Sequence, residues 1–148
     1  MSLGYSAQSE KYLIGTSSAP VNLTTNYVDN SVNFEIGHFA EMTVYFEYTT
    51  GAGGVGNSVQ FLFEGSPDSN ENPAPAPIFY QALGQTVTSG VITLNDAYAT
   101  WTAPAGGTTY YRRFYFPPAD LKMKLSVKET IVAGVGGTIK VRYLLSGI

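Results

Sequence analysis

The glycines between residues 51 and 56, Gly-Ala-Gly-Gly-Val-Gly, have the spacing that most closely matches a chemical motif. They satisfy the pattern G-x-G-x-x-G, which in dinucleotide-binding folds sets backbone amides against a pyrophosphate at the start of a helix. Residues 57–64 alternate as a strand does, so the helix that such a site requires does not follow. We therefore predict that these glycines form a flexible hairpin loop and bind no nucleotide.

Nucleophilic and metal chemistry have few residues to draw on. The chain has 148 residues, one histidine (His38) and no cysteine. A serine triad needs a histidine between a nucleophile and an acid, and the sequence has no G-x-S-x-G elbow to present the serine. Zinc and copper sites are built largely from histidine and cysteine. We expect a protein that is not an enzyme and that holds no metal and no cofactor.

The carboxylates are the remaining candidates for acid–base chemistry. Two glutamates could flank a sugar in a cleft, but Glu47 and Glu64 lie in phase with the polar faces of their strands. Asp68 and Glu71 offer oxygen ligands in a loop, without the spacing or the glycine of a calcium-binding EF-hand. Solvated strand faces are the simpler interpretation, and a hydrolase that uses Glu41 or Glu47 is kept as a distant alternative.

Aromatic side chains are abundant, with 11 tyrosines and 8 phenylalanines. Exposed rings could stack on the apolar faces of sugars or on cations. The alternative is that the aromatics fill a core while outer tyrosines mediate subunit contacts, where tyrosine is enriched. The candidates for either role lie late in the chain and include two arginines: Trp101, Tyr110, Tyr111, Arg112, Arg113 and Tyr115.

Apolar residues recur at every second position in the segments that would have to hold these side chains. Residues 42–48, 59–63, 121–127 and 139–145 each alternate apolar and polar side chains. This period is typical of strands with one buried and one wet face, and punctuation by Gly, Pro and Asn indicates an all-β sandwich or barrel. We predict 8–10 antiparallel strands in one domain over residues 10–148, with residues 134–137 joining the last two strands as a hairpin.

Three segments outside the strands are candidate contact elements. Residues 1–9 are small and polar and are predicted to form a flexible N-terminal arm, which contains Tyr5. The glycine loop tip, Gly51–Gly56, contains Gly53, and the proline-rich loop Pro73–Pro77 contains Pro75. No apolar run approaches the length of a transmembrane helix, so we expect no membrane contact.

Charge is sparse and unevenly distributed. Only 13% of residues are charged, and the net charge of −3 combines −8 over residues 1–100 with +5 over residues 101–148. If the C-terminal strands are neighbours, their lysines and arginines form one basic sheet face. Seven bases spread over a sheet are a weak footprint for nucleic acid, and we expect none to bind. Contact with an acidic surface of another subunit, or head-to-tail packing of identical subunits, explains the segregation better.

Three stretches resemble small jelly-roll-like virion proteins of tailed bacteriophages. They are Val59–Asp68 (VQFLFEGSPD), Tyr110–Pro118 (YYRRFYFPP) and the C-terminal run LKMKLSVKET…GGTIKVRYLL, which together span roughly residues 40–145. The resemblance implies an antiparallel, jelly-roll-like β-sandwich and a capsid decoration (cement) protein. It also implies homo-oligomers, with a trimer favoured, and contacts with capsid or other virion subunits.

Two functions are therefore carried forward. The first is a non-enzymatic structural protein of the virion, made in the host cytoplasm, that binds and stabilises the phage head surface through subunit contacts. The alternative is a carbohydrate-binding module or receptor-binding tip that uses the exposed aromatic residues.

Overall fold

The computed structural model describes residues 6–7, 11–29, 34–35, 41–67, 78–96, 99–116 and 122–147. All regular structure in these segments is β-strand, and no helix there is long and apolar enough to cross a membrane. The strands are β1 (Ser6–Ala7), β2 (Lys11–Ile14), β3 (Val21–Asn22), β4 (Val28–Asp29), β5 (Phe34–Glu35), β6 (Glu41–Thr49), β7 (Ser58–Ser66), β8 (Tyr80–Ala82), β9 (Gly84–Thr88), β10 (Val91–Asn95), β11 (Ala99–Thr102), β12 (Thr109–Phe116), β13 (Lys122–Thr130) and β14 (Thr138–Gly147).

The strands form two antiparallel sheets of four rows each. In sheet A the rows run β1/β2/β3, β14, β6 and β12, and in sheet B they run β4/β5, β13, β7 and β8/β11. Along the chain, β1–β3 lie in sheet A, β4 and β5 in sheet B, β6 in sheet A, and β7, β8 and β11 in sheet B. The last three strands, β12, β13 and β14, lie in sheets A, B and A. Eight rows connected in this way form a jelly roll. The predicted all-β, jelly-roll-like sandwich is confirmed.

The two predicted hairpins are wrong in their pairing. Strands β13 and β14 lie in different sheets, since β13 pairs with β7 and β14 pairs with β6. Likewise β6 and β7 belong to opposite sheets, so the glycine loop between them crosses the end of the sandwich. The alternating pattern fixes which face of a strand is buried, but a strand can bury that face from either sheet.

The core lies between the sheets and follows the predicted phase. Phe46 on β6 contacts Phe61 on β7, with ring centroids 5.0 Å apart, and Phe63 stacks on Phe116 at 4.0 Å. Such pairs add to the stabilisation from burying the rings themselves. The other buried hydrophobic side chains of the long strands are Met42, Val44, Tyr48, Val59, Met123, Leu125, Val127, Ile139, Val141, Tyr143 and Leu145.

The predicted single basic face does not form. Strand β13 lies in sheet B, whereas β12 and β14 flank β6 in sheet A, so their bases point from opposite sides of the sandwich. On sheet B, Lys124 lies over the ring of Phe79 at 4.2 Å and Lys128 over Tyr27 at 4.9 Å. The bases of sheet A lie beside tyrosines and one glutamate, as described below.

Strands β9 and β10 form a hairpin that belongs to neither sheet. It interrupts the row of sheet B between β8 and β11. Its turn is Ser89-Gly90, and both residues have positive φ, 51° and 79°. Two such residues between paired strands make a type I′ turn, whose twist matches that of a hairpin. We refer to residues 84–95 as the projecting hairpin.

Candidate functional site

The outer side of sheet A carries a shallow depression of about 280 Å³. Strand β6 runs through its middle, with β12 on one side and β14 on the other. Outward side chains of these strands and of β2 line it, and they are mostly aromatic or basic. We call this surface the tyrosine–arginine face, and it consists of Tyr12, Tyr45, Glu47, Tyr111, Arg113, Lys140 and Arg142.

Strand register arranges these side chains in two rows across the sheet. In the first row Glu47 lies between Tyr111 and Lys140, and in the second row Tyr45 lies between Arg113 and Arg142. Residues directly opposite one another in antiparallel strands have neighbouring side chains on the same face. The second row therefore flanks one phenol ring with two guanidinium groups.

Local contacts hold several of these groups in position. The Lys140 ammonium lies 3.9 Å from a carboxylate oxygen of Glu47 and donates a hydrogen bond to the Ser17 carbonyl at 3.1 Å. Arg142 lies over the ring of Tyr12 at 5.8 Å, and Arg113 lies 6.0 Å from the ring of Tyr115. Glu47 is the one acid among the described residues that line the depression. The face is therefore positive and suits an acidic partner that also offers flat or apolar groups.

Trp101 and Tyr110 do not line this depression, and Arg112, which does, lies opposite the buried Phe46 rather than in the two outward rows. Tyr110 lies in the inward phase of β12, opposite Tyr48, and its ring contacts the half-buried Trp101 of β11 at 5.0 Å. The Arg112 guanidinium lies over both rings, at 5.2 and 5.4 Å. These three residues cover the seam where the edges of the two sheets meet. The predicted aromatic platform is thus split, because only Tyr111 and Tyr115 point outward.

Beside Arg112 the seam has a second, smaller depression of about 170 Å³. Phe46, Phe61, Trp101 and Phe114 supply its apolar walls. Cation–π contact at an exposed site contributes on the order of 0.5–1 kcal/mol. Arg112 therefore acts as a loosely held cover over aromatic core, and no further polar side chain besides Thr100 and Arg113 lines this second depression in the described chain.

Gly53 lies in a loop that packs against two others. Residues 51–57, 103–108 and 131–137 meet at one end of the sandwich, and we call them the glycine-loop end. Backbone hydrogen bonds join them, from Gly56 to Ala103 at 3.0 Å, from Gly107 to Gly51 at 3.0 Å and from Val135 to Ala52 at 3.2 Å. A Cβ on Gly134 would lie 2.1 Å from the Ala52 carbonyl oxygen. The glycines thus permit backbone-to-backbone packing rather than a free loop tip.

Side chains complete the glycine-loop end. The Asn57 amide donates to the Ala133 carbonyl at 2.9 Å and accepts from the backbone N–H groups of Val132 and Ala133 at 2.8 and 3.0 Å.

A buried hydrogen bond joins the two sheets near this end, where the Tyr48 hydroxyl of sheet A donates to the Glu129 carboxyl of sheet B. Glu129 also accepts from the Gly137 N–H at 2.9 Å. Burial, and then the hydrogen bond to Glu129, raise the pKa of Tyr48 well above its ordinary value.

The remaining predicted residues fall into two groups. Tyr5, Pro75, His38, Asp68 and Glu71 lie outside the described residues, and of the predicted arm only Ser6–Ala7 is described, as β1 against β14. Glu47 and Glu64 occupy outward positions, and no cluster of His, Cys, Asp or Glu in the described segments could hold a metal.

Sequence reasoning missed Tyr12, Tyr45, Lys140 and Arg142 as site residues. Their outward phase is readable, but the neighbourhood of β12, β6, β14 and β2 depends on sheet order, which the alternation does not encode. The sequence matches no protein-family model, and no curated protein shows significant similarity to it.

Proposed function

We propose that this protein is a non-enzymatic structural protein of a bacteriophage virion, a decoration protein that binds the capsid surface and stabilises it. The observation that carries the proposal is the tyrosine–arginine face. Tyrosine and arginine are the residue types most enriched at the energetic centres of protein interfaces, because they offer large contact area and strong hydrogen bonding. Tyr111 leaves 69% of its surface exposed.

The charge of the face indicates the chemistry of its partner. Arg113, Lys140 and Arg142 outnumber Glu47, so an acidic protein surface gains Coulomb energy on docking there. Two guanidinium groups beside Tyr45 can each bind a carboxylate in a bidentate manner while the ring packs on the partner. Stabilisation of a capsid follows by mass action, since a protein that binds only the assembled shell favours assembly.

The fold is compatible with this proposal. Jelly rolls build viral capsid proteins and also lectins, and one fold hosts many functions. The resemblance of residues 59–68 and 110–118 to phage virion proteins is the feature that favours the virion. That resemblance, the sparse charge and the single histidine together favour adhesion over catalysis.

Co-sedimentation with undecorated capsids from the native source tests the proposal. We expect the wild-type protein to sediment with capsids, and Arg113→Glu to lose most of the binding because it replaces one of the bases of the face by an acid. Lys128→Glu is the matched control, with the same change of charge on the opposite side of the sandwich. Rising salt should weaken binding, since it screens the exposed arginines. Failure of the wild-type protein to sediment refutes the decoration proposal.

A carbohydrate-binding module or receptor-binding tip is the second candidate. The observation that favours it is the depression itself, in which tyrosine rings and arginines offer stacking and charge to an acidic sugar. The expected contact is then Tyr111 rather than Trp101, because Trp101 packs on the core. Glycan-array hits that Tyr111→Ala abolishes would favour this function, and an empty array would remove it.

A further inference from the structure

The projecting hairpin has two chemically different faces. The register sets Val87 opposite Ile92 and Gln85 opposite Leu94, so three aliphatic side chains share one face. Thr86 lies opposite Thr93, and Thr88 opposite Val91, on the other face. Asn95 donates a hydrogen bond to the Thr86 hydroxyl at 3.0 Å on that side. The hairpin is therefore amphipathic in the way of a strand pair that covers a core.

No described part of the chain covers the aliphatic face. Val87, Ile92 and Leu94 leave 65%, 61% and 58% of their surface exposed. Ile78 and Tyr80, which lead into the hairpin, are exposed by 62% and 61%. A two-stranded hairpin alone in water is at best marginally stable, and clustered exposed aliphatic groups mark an interaction surface.

The charge distribution indicates which partner the hairpin takes. Residues 84–95 contain no charged side chain, whereas the tyrosine–arginine face carries three bases and one acid. Contact of two identical copies about a two-fold axis requires a surface that complements itself. The tyrosine–arginine face does not, because two copies would oppose arginine to arginine, whereas an uncharged aliphatic face meets its own copy without repulsion.

We propose that the aliphatic face of the projecting hairpin is a self-association surface, on which the hairpin of a second copy of this chain packs. Val87, Ile92 and Leu94 form its centre. The type I′ turn and the Asn95–Thr86 hydrogen bond hold the hairpin in shape before association, which lowers the entropy lost on binding. The surface is separate from the tyrosine–arginine face, so the inference goes beyond the proposed function and does not depend on it.

Neighbouring residues of β10 supply a matched test. Ile92→Thr alters the aliphatic face and Val91→Thr alters the threonine face, each replacing one exposed β-branched residue by threonine, which keeps the strand preference. Mass in solution is measured for each by light scattering during size exclusion over a series of concentrations. We expect the wild type and Val91→Thr to form oligomers. A double variant that also changes the second residue of the aliphatic pair, Val87→Thr/Ile92→Thr, should raise the dissociation constant by at least about ten-fold.

A second measurement guards against misfolding of the variants. At concentrations where both variants are monomeric, thermal unfolding of the double variant should match that of Val91→Thr. Amide hydrogen exchange in residues 84–95 should accelerate only when the oligomer dissociates. A wild-type protein that stays monomeric at every concentration overturns the inference. The inference is also overturned if substitutions on the aliphatic face and on the threonine face weaken association equally. Capsid binding reports separately, because the monomeric double variant retains Arg113 and the whole tyrosine–arginine face.

Discussion

The glycine-loop end and the projecting hairpin both connect strands and both depend on glycine. They differ in whether other backbone packs against those glycines. At the glycine-loop end three loops pack so closely that Gly134 has no room for a Cβ beside Ala52. In the projecting hairpin Gly90 has no atom within 4 Å of where its Cβ would lie. The loops of the first region pack against one another, whereas no described part of the chain packs against the turn of the second region.

This difference separates two meanings of a glycine-rich connection. Where glycine is needed because another backbone approaches, as at Gly134, the loop is held in place by the backbone packed against it. Where glycine is needed only for a positive φ, as at Gly90, the turn shapes a segment whose side chains are free to contact something else. Stability should therefore reside in the glycine-loop end and association in the projecting hairpin, and the following changes test that division.

Gly134→Ala should have the largest effect. The new Cβ lies 2.1 Å from the Ala52 carbonyl oxygen, and the alanine must adopt a positive φ of 64°. The 131–137 loop must therefore move, and it loses the hydrogen bond from Val135 to Ala52. We expect a loss of at least about 3 kcal/mol in the free energy of unfolding, measured by urea denaturation.

Gly107→Ala is the control for backbone strain alone. Gly107 has the same φ of 64° in the same loop end, with no atom within 4 Å of the new Cβ. We expect it to cost about 1 kcal/mol. Equal losses for the two variants would show that the close packing of the loops contributes nothing.

Strand phase is readable from the sequence, whereas sheet membership is not. The buried phase of Phe46, Phe61 and Leu125 can be predicted because a period of two distinguishes inside from outside. The same pattern is silent on which sheet a strand joins, and the predicted pairing of β13 with β14 is wrong for that reason. The dipeptide Ser89-Gly90 is typical of a hairpin turn. Strand β9 is harder to predict, because most of its residues are polar and the apolar alternation is weak.

Glu129 shows why contacts between the two sheets are harder to predict than the phase of a strand. Its phase with Leu125 and Val127 points inward, where a carboxyl group is costly unless it is hydrogen-bonded. The partner, Tyr48, comes from the other sheet and lies 81 residues away in the chain. Tyr110 presents the same difficulty, because aromatic residues occupy both faces of β12 and conceal which of them face the core.

Asn57→Ala should have the next largest effect. It removes one donor and one acceptor that together make three hydrogen bonds to residues 132 and 133, and it leaves those backbone groups unpaired in a half-buried loop. We expect a loss of about 3 kcal/mol in unfolding free energy. The matched amide is Asn95 in the projecting hairpin, whose single exposed hydrogen bond to Thr86 should make Asn95→Ala cost less than about 0.5 kcal/mol. Similar losses from both would erase the proposed contrast.

Tyr48→Phe should cost about 2 kcal/mol at neutral pH, because the buried Glu129 carboxyl loses a donor. It should also change the alkaline limb of stability. The folded state keeps Tyr48 protonated above pH 10, where an unfolded tyrosine ionises, so unfolding releases a proton and stability falls as the pH rises. Without that hydroxyl the fall above pH 10 becomes shallower, although Tyr143, whose pKa burial also raises, retains part of it.

Urea denaturation of the Tyr48→Phe variant at pH 8 and at several values above 10 measures both effects. Tyr111→Phe is the control, since that hydroxyl is exposed on the tyrosine–arginine face. An unchanged pH slope in Tyr48→Phe would mean that other groups govern alkaline unfolding.

Removal of the projecting hairpin should have the smallest effect on stability. Gly84 and Asn95 are register partners, so a two-residue Gly-Ser linker in place of residues 84–95 can join Leu83 to Asp96 without moving β8 or β11. At concentrations where the wild type is monomeric, we expect the free energy of unfolding to change by less than about 1 kcal/mol, since the removed side chains bury almost nothing in the chain. At higher concentrations the wild type should gain stability from association while the deleted protein does not, because only a folded oligomer is favoured by mass action. A loss of several kcal/mol at low concentration would instead place the hairpin in the same structural class as the glycine-loop end.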